Sequence, residues 1–353
     1  MTIERSGETL QWLNTNTLIG FREQRQAWHY RQELQGERGN HFDGPVPRER
    51  VEQLFGFEIQ ARPIRFEAPI WAQEGTADYD DQGNPVMWVK DPGHVMIVRS
   101  DRPTVPLAVH GSGYKIHQYP EWLIKSVDRM LSGDLAIGSA GLLRGGAIAW
   151  VSVEVPDTFT TAEGVAFRPR MLNVTSCDGS LATRRKMVTM NAVCDNTVDL
   201  ALKEDGREIR IKHSSRSDMR RTEALEALGL IHASAAAFEA EVAQMCAETV
   251  TDRQWSQFLD AYAPAVPEAP IRTRKNAERK REDLSQLWTS DGRVAPWKGT
   301  RWGAVMAVNT YNQWVARSNG DRMERAMERA ITGKTRKADQ LALDTLDRIL
   351  SPV

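Results

Sequence analysis

Between Thr175 and Arg216 the chain reads TSCDGSLATRRKMVTMNAVCDNTVDLALKEDGREIRIKHSSR, two strand-like runs rich in Arg and Lys around a short helix-like run. A strand that only fills a core has no use for Arg184, Arg185 and Lys186 in a row, nor for Arg210 and Lys212 two apart. The pattern points to an anionic partner. Strand alternation puts Arg184 with Lys186 on one face and Arg210 with Lys212 on another, which suits a groove that tracks a phosphate backbone. Arg168, Arg170, Arg216, Arg220 and Arg221 extend the same basic region. The competing reading is a solvated edge strand, where cations discourage edge-to-edge pairing.

Other chemistries lack a necessary partner. Cys177, Cys194 and His213 have no fourth ligand and no zinc-like spacing, so they read as buried thiols and a strand histidine and not as a metal site. Cys194 with His213 as its base needs a third, positioning group that the sequence does not show. Asp178-Gly179-Ser180 is a tight turn and not a nucleophile elbow, since no GxSxG surrounds it. Gly111-Ser112-Gly113 lacks both the Lys-Ser/Thr of a P-loop and the third Gly of a dinucleotide fingerprint. No catalytic residue, cofactor or metal is therefore expected, and a hydrolase or nuclease is the disfavoured third alternative, since no clustered Asp/Glu/His metal set with recognisable spacing appears.

Positioning these residues takes a sizeable scaffold, and 353 residues with 41% hydrophobic content supply one. The net charge is only -1, yet Arg168 to Arg221 holds twelve Lys/Arg against seven Asp/Glu, and Arg272 to Arg281 six against one. Basic character thus sits in two places and the remainder is acidic. Three scattered cysteines favour a reducing compartment, and the chain shows neither a leader pattern nor an 18-residue apolar run. A cytoplasmic protein is expected, with no membrane contact.

The elements divide the chain into an N-terminal arm (1–45), an α+β core (46–262) and a helical region (263–353) beyond the proline-bearing linker YAPAVPEAP. The expected fold class is α+β, a mostly antiparallel sheet packed by helices, followed by the helical C-terminal region. Pro47 opens a short helix that ends at Gly56. FEIQARPIRFEA, PVMWVK, HVMIVRS and VPLAVH read as antiparallel strands separated by the turn signals QGNP and DPG. AIAWVSVEV is a further strand. FRPRMLNVTS and LATRRKMVTM form a hairpin turned at Asp178-Gly179. A helix is expected from about Asn191 to Leu202, then the strand REIRIKH, then a long helix capped by Ser217 or Asp218. Eleven tryptophans, among them Trp28, Trp71, Trp88 and Trp150, are candidates either for base stacking or for core and subunit anchors. The run RTRKNAERKR holds one Glu against six cations, so it reads as a second polyanion contact or a solvated face.

The string TSCDGSLATRRKMVTMNAVCDNTVDLAL, followed by IRIKHSSR and EALEALGLIHA, resembles the phage- and plasmid-borne family of domain of unknown function 932. AWHYRQEL, VPRERVEQLFGFEIQARPI, MIVRSD, GSGYKIHQ and GTRWGAVMAVNTYNQWV match it as well. More distantly, a hairpin bearing DGS followed by a basic strand is similar to the core of the Rad fifty-two type single-strand annealing superfamily. That resemblance implies a non-enzymatic protein that forms a homo-oligomeric ring, binds single-stranded DNA and anneals complementary strands without ATP in phage or plasmid recombination. It also implies a single-strand-binding protein as a possible partner. The implied DNA contacts are Lys115, Arg168, Arg170, Arg184, Arg185, Lys186, Asn191, Asn196, Arg210, Lys212, His213 and Arg216. The alternative function is an interaction module for host or phage proteins, whose basic patches bind an acidic partner.

Overall fold

A computed structural model of the chain describes residues 15–21, 39–69, 71, 75–128, 130–131, 135–191, 197–198, 208–211, 224–316 and 334–351. The long apolar runs fall in an eight-stranded antiparallel sheet. Its backbone is β1 (Thr17–Ile19), β6 (Ala136–Leu143), β7 (Ile148–Glu154), β9 (Ala166–Ser176) and β10 (Thr183–Asn191), paired in that order. β8 (Phe159–Thr160) pairs with β9, while β11 (Thr197–Val198) and β12 (Glu208–Ile211) both pair with β10. β6 and β7 are buried along almost their full length, as their near-continuous apolar sequences require.

A second, four-stranded sheet comprises β2 (Ile59–Ala68), β3 (Thr76–Tyr79), β4 (Pro85–Arg99) and β5 (Arg102–Gly111). β4 lies between β2 and the other two strands, and Ile59 and Ile97 anchor one end of the sheet in the core, with Val95, Leu107 and Ala108 packed beside them. The DPG signal does not turn the chain. PVMWVK and HVMIVRS are one strand, because the Asp91 carboxylate accepts the backbone N–H groups of Gly93 and His94 and absorbs the extra residues as a bulge.

The helices are α1 (Arg48–Leu54), α2 (Lys125–Asp128, continuing a π turn at Pro120–Ile124), α3 (Ala224–Ala247), α4 (Asp252–Tyr262), α5 (Ile271–Ser290), α6 (Arg301–Thr310) and α7 (Lys334–Leu350). α4 begins with a reciprocal capping box between Thr251 and Gln254. α6 is apolar on all sides and every residue from Trp302 to Thr310 is buried, which makes it the central rod of the helical region. Trp255 stacks on Trp288 at 4.6 Å, so the proline-bearing stretch joins two helices, α4 and α5, that pack on each other.

Two apolar clusters hold the molecule. One fills the space between the main sheet, α1 and the Pro120 helix; the other joins α3 to α7 and takes Val165 and Phe167 from the sheet. The architecture is α+β with a helical C-terminal region. Two local expectations change. The segment read as an irregular arm contributes β1, whose three residues are too few to leave a periodic signal. The helix expected at Asn191 to Leu202 is interrupted by strand: Asn191 ends β10, and Thr197–Val198 folds back as β11 against Thr189 and Met190. Thr197 and Val198 are β-branched, and pairing with an adjacent strand outweighs their weak helical pattern.

Candidate nucleic-acid interface

The turn of the β9–β10 hairpin is pinned from several sides. The Asp178 carboxylate accepts the backbone N–H of Ser180 at 2.9 Å, the Ser180 hydroxyl, and Arg144 Nη1 at 2.8 Å. Burial pushes this carboxyl up, but those donors outweigh it and hold Asp178 below the ordinary carboxylate range. Gly179 has φ of 73°, and a Cβ there would lie 2.8 Å from His110 Cε1, so turn and packing both require glycine. His110 Nε2 donates to the Cys177 carbonyl at 3.0 Å, and Tyr114, stacked on His110, donates to the Ser176 carbonyl at 3.3 Å. The GSGYK turn and the DGS turn, far apart in sequence, therefore form one polar knot, with exposed Lys115 next to Tyr114.

Beneath the knot the groups are enclosed. Tyr119 donates to the Gly146 carbonyl at 2.7 Å and contacts Cys177 Sγ at 3.5 Å. His117 stacks on Trp122 and shares a 2.6 Å hydrogen bond with Thr183, which meets Thr175 at 2.7 Å. Burial pushes the Cys177 thiol up to about 12, so it carries no thiolate at neutral pH. This thiol is a packing group.

The register gathers the basic residues. Arg184 lies opposite Val174 of β9 and Arg210 of β12; Lys186 lies opposite Leu172 and Glu208. Alternation puts Arg168, Arg170, Arg184 and Lys186 on one face, and Arg185 on the other with Asn173, Met171 and Met187, the face toward α3. Arg210 is thus in line with Arg184 and not on a separate strand face.

Burial sorts these cations further. Arg168 and Arg170 lie below the surface: Arg168 Nε donates to Thr158 Oγ1 at 2.8 Å, and Arg170 Nη2 is 3.4 Å from the buried Glu154 carboxylate. Lys186 and Arg185 are 7% and 8% exposed, while Arg184 is half-buried. Burial also lowers the pKa of Arg185. Asn191 ends β10 opposite Phe167. Asn196, Lys212, His213 and Arg216, with Cys194, lie outside the described residues. Sequence reasoning missed Arg144, His110 and Tyr114 as partners of the hairpin. Their only signal was the GSGYK and DGS blocks, whose meeting depends on the tertiary fold.

Elsewhere the surface carries two other features. The outward face of the second sheet shows Phe66, Met87, Val89 and Tyr79, with Phe66 51% and Tyr79 72% exposed. Trp71, beyond β2, is 80% exposed, whereas Trp150, Trp255, Trp288 and Trp302 are core residues. Among the described residues no group of three His, Cys, Asp or Glu is placed to hold a metal, and no helix is long and apolar enough to cross a membrane.

No curated protein and no solved structure matches the chain. The family model described as Domain of unknown function (DUF932) matches residues 106–348, which take in the polar knot, β6 to β12 and nearly all of the helical region. With well over half of its length covered by that model, the chain belongs to the DUF932 family.

Proposed function

We propose that this chain binds single-stranded DNA without sequence preference and anneals complementary strands without ATP, as in the Rad fifty-two type superfamily that its hairpin region resembles. One observation carries this reading: the pairing of β9, β10 and β12 brings Arg184 and Arg210 into register, with Lys186 two residues along the same strand. Same-face neighbours on a strand are about 6.7 Å apart and adjacent strands about 4.8 Å. Spacings of that order suit successive phosphates along one nucleic-acid strand. Arg168 and Arg170 serve the sheet itself, through Thr158 and Glu154. Arg184, part-exposed, is the proposed first contact, and Lys186, 7% exposed, lies two residues along the same face. Lys115, exposed beside Tyr114 near the hairpin turn, is a further cation in the proposed contact. Self-association into a ring would join these short rows into one path, so binding would be multivalent.

Fluorescence anisotropy with a labelled oligo-dT tests the reading. The wild-type chain binds at low salt and weakens steeply as salt rises, and Arg184→Glu with Lys115→Glu lowers the affinity at every salt concentration. Absence of binding at low salt contradicts it.

A second reading, an interaction module for host or phage proteins without annealing activity, is favoured by the outward face of the second sheet. An exposed apolar surface rimmed by charge is the usual mark of a protein contact. It predicts self-association or partner capture that is lost in Phe66→Ser/Tyr79→Ser, together with no oligonucleotide binding by the wild type.

A further inference from the structure

Helix α5 carries the chain's second concentration of positive charge, and apart from the half-buried Arg274 the fold divides its six cations into two sets. Lys280 sits over the Tyr262 ring at 3.9 Å and Arg281 pairs with Asp260, so these two tie α5 to α4. Arg272, Lys275 and Arg279 are exposed and, among the described residues, make no ion pair. Their i, i+3, i+7 spacing puts them on one face, successive charges about 4.5 and 6 Å apart along the axis. Helix stability does not account for them. The first turn of α5 has no acidic residue, and Arg272 stands in that turn, at the end of the helix where the macrodipole disfavours positive charge. A helix that keeps a cation where its own electrostatics oppose it is responding to a demand from outside the fold.

We propose that Arg272, Lys275 and Arg279 form a second contact for the phosphate backbone of single-stranded DNA, separate from the β9–β10 row. The inference rests on the DNA-binding reading and adds a site to it. A nucleic-acid backbone fits better than an acidic protein because the three cations have a single exposed apolar neighbour, Ile271, whereas protein interfaces centre on clusters of apolar and aromatic anchors. Annealing needs two strands held at once, and two separate basic surfaces on one chain meet that need.

The test compares the full-length wild type with Arg272→Gln/Lys275→Gln/Arg279→Gln and with the corresponding triple Glu variant, by oligo-dT anisotropy over a range of salt. All three positions are exposed, so thermal melts of the variants should match the wild type. Losing three phosphate contacts should lower the slope of log affinity against log salt by about 2, at about 0.7 per contact. The Glu variant should bind more weakly than the Gln variant. If the wild type binds and both variants keep its slope and affinity, the α5 site is overturned while the DNA-binding reading stands. If the wild type fails to bind DNA but is retained by polyglutamate, the stripe serves an acidic protein, and both readings fail.

Discussion

At Asp178 and Gly179 the demands of turn, charge and packing coincide. Gly179→Ala puts a Cβ at positive φ and against His110, for an expected cost of about 1–3 kcal/mol that a thermal melt would register as a lower Tm. The groups under the turn predict a pH dependence with a definite sign. Cys177, Tyr119 and Tyr114 all have their pKa raised by burial, so the folded state holds protons that the unfolded chain releases. Their contribution is complete below the ordinary thiol value of about 8.5 and is lost as pH rises toward the folded values, at about 1.4 kcal/mol per pH unit per proton. Urea unfolding followed from pH 8 to 11 should show falling stability, and Cys177→Ala should flatten the fall by one proton. A flat profile would show that these groups are not enclosed in solution. Asp178 has the opposite sign: its contribution is present above the ordinary carboxylate pKa and disappears as pH falls through its lowered value.

Between strands, the main prediction concerns the Glu154–Arg170 pair joining β7 and β9. Neither side chain reaches solvent, so Glu154→Ala leaves a buried guanidinium without that carboxylate, at an expected cost of about 3–5 kcal/mol. Glu154→Met/Arg170→Met should recover much of the loss in a double-mutant cycle of chemical denaturation. If the double variant is no better than the single, the two residues do not act as a pair.

The same pair shows what the amino-acid sequence reveals and what it conceals. The β9–β10 hairpin was legible because Asp178-Gly179 is turn chemistry between two β-rich runs, and α1 because Pro47 and Gly56 bracket its apolar positions. The burial of Arg168, Arg170 and Lys186 was not legible, since charge normally marks solvent. DPG misled because a bulge absorbs those residues without turning the strand. Thr197 and Val198 misled because their partner, β10, decides their conformation more than their own helical spacing does.

For the whole molecule, the two apolar clusters join the sheet and the helical region across the proline-bearing stretch, so α3 to α7 should not melt apart from the sheet. A single calorimetric transition is expected, and two well-separated transitions would contradict that coupling. The proposed DNA contact is the row along β10, with the α5 stripe as a separate and additional surface, and the near-neutral total charge keeps binding local and salt-sensitive. The most direct measurement is the rate at which complementary oligonucleotides anneal, followed by fluorescence quenching without any nucleotide cofactor and with protein at the concentration that saturates strand binding. The account predicts a rate well above that of the protein-free strands, falling back as salt rises or when Arg184 is replaced by Glu. A rate equal to that of the free strands would contradict it.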